Sequence, residues 1–196
     1  MKAKISKDQM NEVAMSTMLM NGYHHTNVRE VMESVGLGKG SFSNYYESKE
    51  DMGIKGLGAF MKKLSDWQQE CLSDLRISPL ERIRTYFAAL IEHFKSETEY
   101  RGGCMVGNFS LELGDTDEVF REKLHLFFTE MNQRFASCFL EAQQLDEVRP
   151  DMDAEDMAEL LMVTWEGAVL RMKTMGNGYA LDLFFNDFFK LISPKN

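Results

Sequence analysis

Three groups of residues in this 196-residue chain have types and spacing suited to chemistry. The first is a thiol. In Arg101-Gly102-Gly103-Cys104-Met105-Val106-Gly107-Asn108-Phe109, two glycines lead into a predicted helix that begins with a cysteine. Backbone N–H groups without helical partners and the positive end of the helix dipole lie there, and Arg101 is close in sequence. Both effects favour thiolate over thiol, and a thiolate attacks electrophiles and meets oxidants readily. The competing reading makes Cys104 a small buried hydrophobe, the commonest fate of a cysteine outside a disulfide. Cys71 and Cys138 fall mid-helix beside apolar neighbours and read as structural.

The second group lies in residues 22–50, GYHHTNVREVMESVGLGKGSFSNYYESKE. It reads as two short helices joined by a tight turn, followed at once by a third helix, which is a groove-reading unit. Gly40 permits close approach of backbone to a duplex. Ser41 and Asn44 can bond base edges or phosphate oxygens, and Lys39 and Lys49 supply a salt-dependent attraction. An ordinary helical hairpin with solvated lysines is the bland alternative.

The third group is apolar: Tyr86, Phe87, Leu90, Phe94, Met105, Phe109, Phe127, Phe128, Met131 and Trp165. Such stripes at helical spacing form cores, and they also line sites for apolar ligands between helices. Both readings stand on the spacing alone. Of these, Tyr86, Phe87, Leu90, Phe109, Phe127, Met131 and Trp165 are the expected pocket lining.

Other candidates fail. Gly36-Leu37-Gly38-Lys39-Gly40 lacks the glycine spacing and Gly-Lys-Ser/Thr order of a phosphate loop. Adjacent His24 and His25 diverge on any regular element. Asp151, Asp153, Glu155 and Asp156 lack the glycine and closing glutamate of a calcium loop and read as a helix cap. Three cysteines without a CxxC or Cys/His cluster indicate neither a disulfide framework nor zinc. No cofactor or metal is expected.

The elements that hold these groups are all helical. Ser6 with Gln9 starts a helix that runs to Gly22. Asn27 with Glu30 starts the next, carrying the stripe Val28, Val31, Met32, Val35, and Gly36 stops it. Lys39 to Tyr46 forms a very short helix. Ser48 with Asp51 caps a helix running from about 47 to 75. Ser78-Pro79-Leu80-Glu81 is a strong start for a helix to about Ser96. Helices follow over 104–113, from Asp115 to about 144, from Asp153 to 175, and over 179–192. The last is greasy, with Leu181, Leu183, Phe184, Phe185, Phe188, Phe189, Leu191 and Ile192. With Met157, Leu160, Leu161, Trp165, Ala168 and Val169 of the preceding helix, and Gly167 for close approach, it is expected to form a four-helix dimer interface.

Gly22-Tyr23, Thr26, the turn Gly36-Leu37-Gly38-Lys39-Gly40-Ser41, Tyr45-Tyr46 and Ser48-Lys49-Glu50 together resemble the DNA-binding domain of the TetR family of bacterial repressors. The resemblance implies an all-α fold: a helix-turn-helix domain over 1–50 and a sensing and dimerisation domain over 51–196. It implies phosphate contacts from Thr26, Tyr45 and Lys49, and groove contacts from Lys39, Gly40, Ser41, Ser43 and Asn44. The family usually has an aromatic at Ser43 and a histidine at Tyr45, so operator preference does not transfer. Tyr46 aligns with a core position. The string Gly-Gly-Cys-x-x-Gly-Asn, Glu112-Leu113-Gly114 and Trp165-Glu166-Gly167-Ala168 resemble the electrophile-sensing, NemR-like branch. There Cys104 would be the switch. Lys173 is the candidate partner, by stabilising a thiolate or trapping an oxidised sulfur; its other reading is a solvated lysine near a helix end.

Charge fits this organisation. Net charge is −9, yet residues 1–50 carry six basic and six acidic groups, so the whole excess lies in the remainder. The start has no apolar h-region and no stretch matches a membrane span, so a cytoplasmic, non-membrane protein is expected. The combined expectation is a homodimeric, non-enzymatic repressor binding palindromic double-stranded operator DNA, released by a small-molecule inducer at Cys104. A reversible apolar ligand is the alternative. A small enzyme with Cys104 as nucleophile is a remote one.

Overall fold

The computed structural model describes residues 5–194, and every regular element among them is helical. Lys2 and Lys4, counted above in the N-terminal charge, lie outside this range. The chain divides into two compact units. One takes the chain up to Leu64 together with Met105–Leu124; the other holds Ser65–Cys104 and His125 onward. The expected boundary at 50/51 therefore falls inside a helix.

In the first unit, α1 (Lys7–Asn21) begins with a complete capping box between Ser6 and Gln9. Such a cap satisfies backbone donors at both positions and contributes about 1 kcal/mol. α2 (Val28–Ser34) is capped by Asn27, whose side chain accepts from the Arg29 N–H. Glu30 supplies first-turn charge there. Gly36, at φ +72°, ends α2 in the left-handed region. Its N–H donates to Glu33 O and the Leu37 N–H to Met32 O, both at 2.9 Å, a Schellman closure. A single 3₁₀ helix (Lys39–Asn44) follows, and then α3 (Lys49–Leu72). Ser48 caps α3 by accepting from the Asp51 N–H at 3.0 Å. α5 (Met105–Leu113) and the start of α6 (Glu118–Gln144) complete the unit. Asp117 caps α6, accepting from Val119 and Phe120, whereas Asp115 was the expected start. Gly114 and the turn after it consume Asp115 and Thr116.

Methionine fills this small core: Met10, Met15, Met18, Met32 and Met52 are at most 4% exposed. An unbranched side chain adapts to gaps between helices that cross at varied angles. Tyr46 is buried among them, and its hydroxyl donates to Asn11 Oδ1 at 2.7 Å.

In the second unit, α4 (Pro79–Ser96) has Ser78 at its cap and proline in its first turn. α7 (Ala154–Met175) starts at Asp153, which accepts from Glu155 and Asp156, and stops at left-handed Gly176. The expected single last helix is three pieces: α8 (Tyr179–Leu183), a π-helical turn (Phe184–Phe188) and α9 (Phe189–Leu191). The wider turn accommodates adjacent Phe188 and Phe189, both 3% exposed, on the buried side. An aromatic chain forms the core. Trp67 lies tilted against Tyr86 (4.6 Å between centroids), Tyr86 and Phe87 meet Phe135, and Phe87 meets Trp165 (4.9 Å) and Phe184. Buried Arg82 ties the α3–α4 turn together, donating to Asp74 O, Ile77 O and the Glu141 carboxylate.

One face of α7 stays uncovered. Leu160, Val163 and Leu170 are 37%, 59% and 51% exposed, and a Cβ on Gly167 would meet nothing within 4 Å. Met157, Leu161, Trp165, Ala168 and Val169, expected above at a dimer interface, are buried within the chain.

Candidate functional site

The expected groove-reading residues lie where α2 turns into the 3₁₀ helix. Lys39, Gly40, Ser43 and Asn44 are exposed, and Ser41 is half-buried. No atom lies within 4 Å of a Cβ added to Gly38 or Gly40, so the space in front of both is open to a partner. The 3₁₀ helix is held from behind. Phe42 packs on Tyr46 at 5.5 Å, and the Tyr45 and Tyr46 N–H groups both close on Phe42 O. A short, tightly wound element without buried residues of its own thus presents small polar side chains from a rigid base.

The three expected phosphate contacts are engaged inside the protein. Thr26 is 2% exposed and its hydroxyl donates to Gly22 O at 2.7 Å. The Tyr45 hydroxyl donates to Ile5 O at 3.1 Å. Lys49 Nζ donates to His24 O at 2.9 Å and lies 5.0 Å from the Tyr23 ring centroid. Partial burial holds the Lys49 ammonium below its ordinary pKa, while the Glu112 charge opposes that shift. Thr26 and Lys49 therefore shape the backbone leading into α2, and Tyr45 ties the end of the 3₁₀ helix to the segment before α1.

Around the thiol, the structure brings together residues from α4, α7 and the segment before α5. Cys104 is half-buried and directly precedes α5. It hydrogen-bonds the carboxyl of Glu166 on α7. Burial pushes the Glu166 pKa up, and the thiol bond partly offsets this. Tyr86 lies within the electrostatic reach of Cys104, Cys71 and Glu166, and its own burial pushes its phenol far up. Lys173 is exposed in the last turn of α7, seven residues beyond Glu166. Cys138 is buried and donates to Pro79 O, and burial lifts its thiol to about 12. Burial also raises Cys71.

The expected pocket residues are divided between the two units. Tyr86, Phe87 and Trp165 belong to the aromatic chain of the second unit, with ring neighbours Trp67, Phe135 and Phe184. Phe109 belongs to the first unit, tilted against Tyr23 (5.8 Å) and Phe120 (5.7 Å). Phe127 and Met131 are buried on α6, and Leu90 is half-buried on α4. Glu166, Trp67 and Phe135 were not picked out as site residues. Trp67 and Phe135 repeat the helical apolar spacing of their neighbours and carry no further signal, and a lone glutamate on α7 gains meaning only from the thiol facing it. Among the described residues no His, Cys, Asp and Glu group is placed to hold a metal ion, and no helix is long and apolar enough to cross a membrane.

Known proteins agree with this architecture. The family model for "Bacterial regulatory proteins, tetR family" matches residues 12–53, and that for "Tetracyclin repressor-like, C-terminal domain" matches residues 79–188. The chain is 32% identical over 188 residues to the HTH-type transcriptional repressor DhaR of Mycobacterium sp. (strain GP1), covering 96% of this chain and 92% of that protein. It is 29% identical to the transcriptional regulator AcuR of Cereibacter sphaeroides, covering 87% and 78%. The crystal structure of regulatory protein TetR from Rhodobacter sphaeroides superposes with a TM-score of 0.87 at 28% identity, covering 95% of this chain and all of that one. Reduced E. coli NemR shares the fold, with a TM-score of 0.82 at 20% identity over 94% and 97% of the two chains. The helix-turn-helix unit and the helical C-terminal unit are those of a transcriptional repressor, and the chain belongs to the TetR family.

Proposed function

We propose that this chain is a homodimeric, cytoplasmic repressor that leaves its palindromic operator when an electrophile or oxidant reacts at Cys104. The observation that carries this reading is the Cys104–Glu166 hydrogen bond beside buried Tyr86. A half-buried thiol is accessible, and its carboxyl partner can take the proton as sulfur reacts. With an activated alkene, sulfur bonds the terminal carbon, the π pair moves to the adjacent carbon, and that carbon receives the thiol proton. The adduct breaks the Glu166 bond, so the modified chain favours a different arrangement of the same helices. A coupling of about 1–3 kcal/mol suffices for a regulatory response.

Lys39, Gly40, Ser41, Ser43 and Asn44 face the major groove in this reading. Thr26 and Lys49 set the register on the DNA backbone from the turn they stabilise, and Tyr45 does so from the end of the 3₁₀ helix. The uncovered stripe of Leu160, Val163, Gly167 and Leu170, with Leu183 and Leu191 at 49% and 67% exposure, pairs with the same stripe of a second copy. A dimer spaces two recognition helices about one DNA turn, roughly 34–36 Å, apart. Lys173 remains a candidate partner for an oxidised sulfur. A reversible apolar inducer is the second reading, favoured by the aromatic chain that runs through Tyr86, within the electrostatic reach of Cys104. Operator release by N-ethylmaleimide, compared between the wild type and C104S, separates the two: the thiol reading requires the variant to stay bound.

A further inference from the structure

Glu112 lies near the C-terminal end of α5, 89 residues from the backbone it binds. Its Oε1 accepts from the Tyr23 N–H and its Oε2 from the His24 N–H, each at 3.0 Å. The His24 ring Nε2 lies 3.4 Å from the Glu112 carbonyl. Gly22, at φ +82°, completes the cradle: a Cβ there would meet Glu112 Oε1 at 2.9 Å. Only glycine adopts that φ without strain and leaves the carboxylate room. Phe109, three residues earlier on α5, packs on the Tyr23 ring, and Phe120 closes its edge at 5.5 Å. Lys49 Nζ donates to His24 O. Thr26 ties its N–H and hydroxyl back to Gly22 O, and Asn27 then caps α2. The turn between α1 and α2 is thus held at Gly22, Tyr23, His24 and Thr26, and Glu112 satisfies two of its donors with charge-assisted bonds.

We infer that Glu112 is a positioning residue for operator recognition: bound to the Tyr23 and His24 amides, it sets the entry of the chain into α2 and so the placement of the 3₁₀ recognition helix. It touches no base or phosphate in this role. The inference rests on operator binding and is independent of the chemistry at Cys104.

The test uses the full-length protein and a duplex that the wild type has selected from random sequence, with E112A and E112Q as variants. E112A removes both acceptors and E112Q leaves one. Specific affinity should fall at least tenfold in E112A and less in E112Q. Binding to a scrambled duplex and the salt slope should stay as in the wild type, because no phosphate contact is lost. Amide hydrogen exchange at Tyr23 and His24 should accelerate in both variants. Specific affinity within twofold of the wild type in a folded variant overturns the inference, as does unchanged exchange at both amides. If E112A does not fold, E112Q decides by the same two readings. Loss of electrophile sensitivity in the wild type would defeat the thiol switch and leave this result standing.

Discussion

The Cys104 thiol and the Glu166 carboxyl are hydrogen-bonded partners, 62 positions apart in sequence and joined by the packing of α7 beneath the segment before α5. Burial holds Glu166 above the ordinary carboxylate range. A raised carboxylate pKa means that folding disfavours the charged form. The associated stability is complete below the unfolded value and is lost as pH rises through the folded one. E166Q should therefore gain stability relative to the wild type as pH rises from 4.5 to neutral, with the larger difference at the upper end. Urea unfolding at both ends of the range checks this; a pH-independent difference would contradict it. The same variant should alkylate more slowly at neutral pH, since no carboxylate then takes the thiol proton.

The uncovered face of α7 predicts a second outcome. V163E places a charge in the centre of an apolar stripe that the chain itself does not bury. Sedimentation should show a monomer with unchanged helical content, and operator binding should fall because two half-sites are no longer bridged. A dimer in V163E would move the interface elsewhere.

Lys49 predicts a third. K49A should weaken DNA binding and lower the salt slope by about one ion. Its bond to His24 O adds a second effect, a loss of about 1 kcal/mol in stability of the first unit. Salt titrations and thermal melts separate the two. An unchanged slope with lowered stability would confine Lys49 to the turn.

Two glycines on α3 predict opposite signs. A Cβ at Gly53 would meet Tyr23 Cε2 at 2.9 Å and Phe120 Cζ at 3.0 Å, both parts of rigid rings. At Gly58 it would meet nothing within 4 Å. G58A should stabilise by about 0.5–1 kcal/mol through helix propensity. G53A should destabilise by about 1–3 kcal/mol through overpacking. Equal shifts in the two melts would show that the Tyr23–Phe120 contact does not set the packing.

Local chemistry was readable in the sequence. Ser6 with Gln9, Ser78 with Pro79, Asp153, Gly36 and Gly176 announce helix ends because each signal involves groups within four residues. The helix-turn-helix was readable for the same reason. What depends on distant packing was not. Asp117 caps α6 instead of Asp115, because Gly114 and the turn after it reset the register. The π turn at Phe184–Phe188 answers to two adjacent phenylalanines that both need burial. Periodicity marked α7 as apolar but did not separate buried Trp165 from exposed Val163. Glu112 and Glu166 stood in the sequence only as members of short strings, because their partners Tyr23, His24 and Cys104 lie 62 to 89 positions away.

The central claim is that Cys104 controls operator occupancy. Fluorescence anisotropy of a labelled upstream duplex, titrated with N-ethylmaleimide on wild type and C104S side by side, tests it most directly. The account predicts full binding by both proteins before the reagent and release of the wild type alone. Release of C104S at the same reagent concentration would contradict it and move sensing away from the thiol.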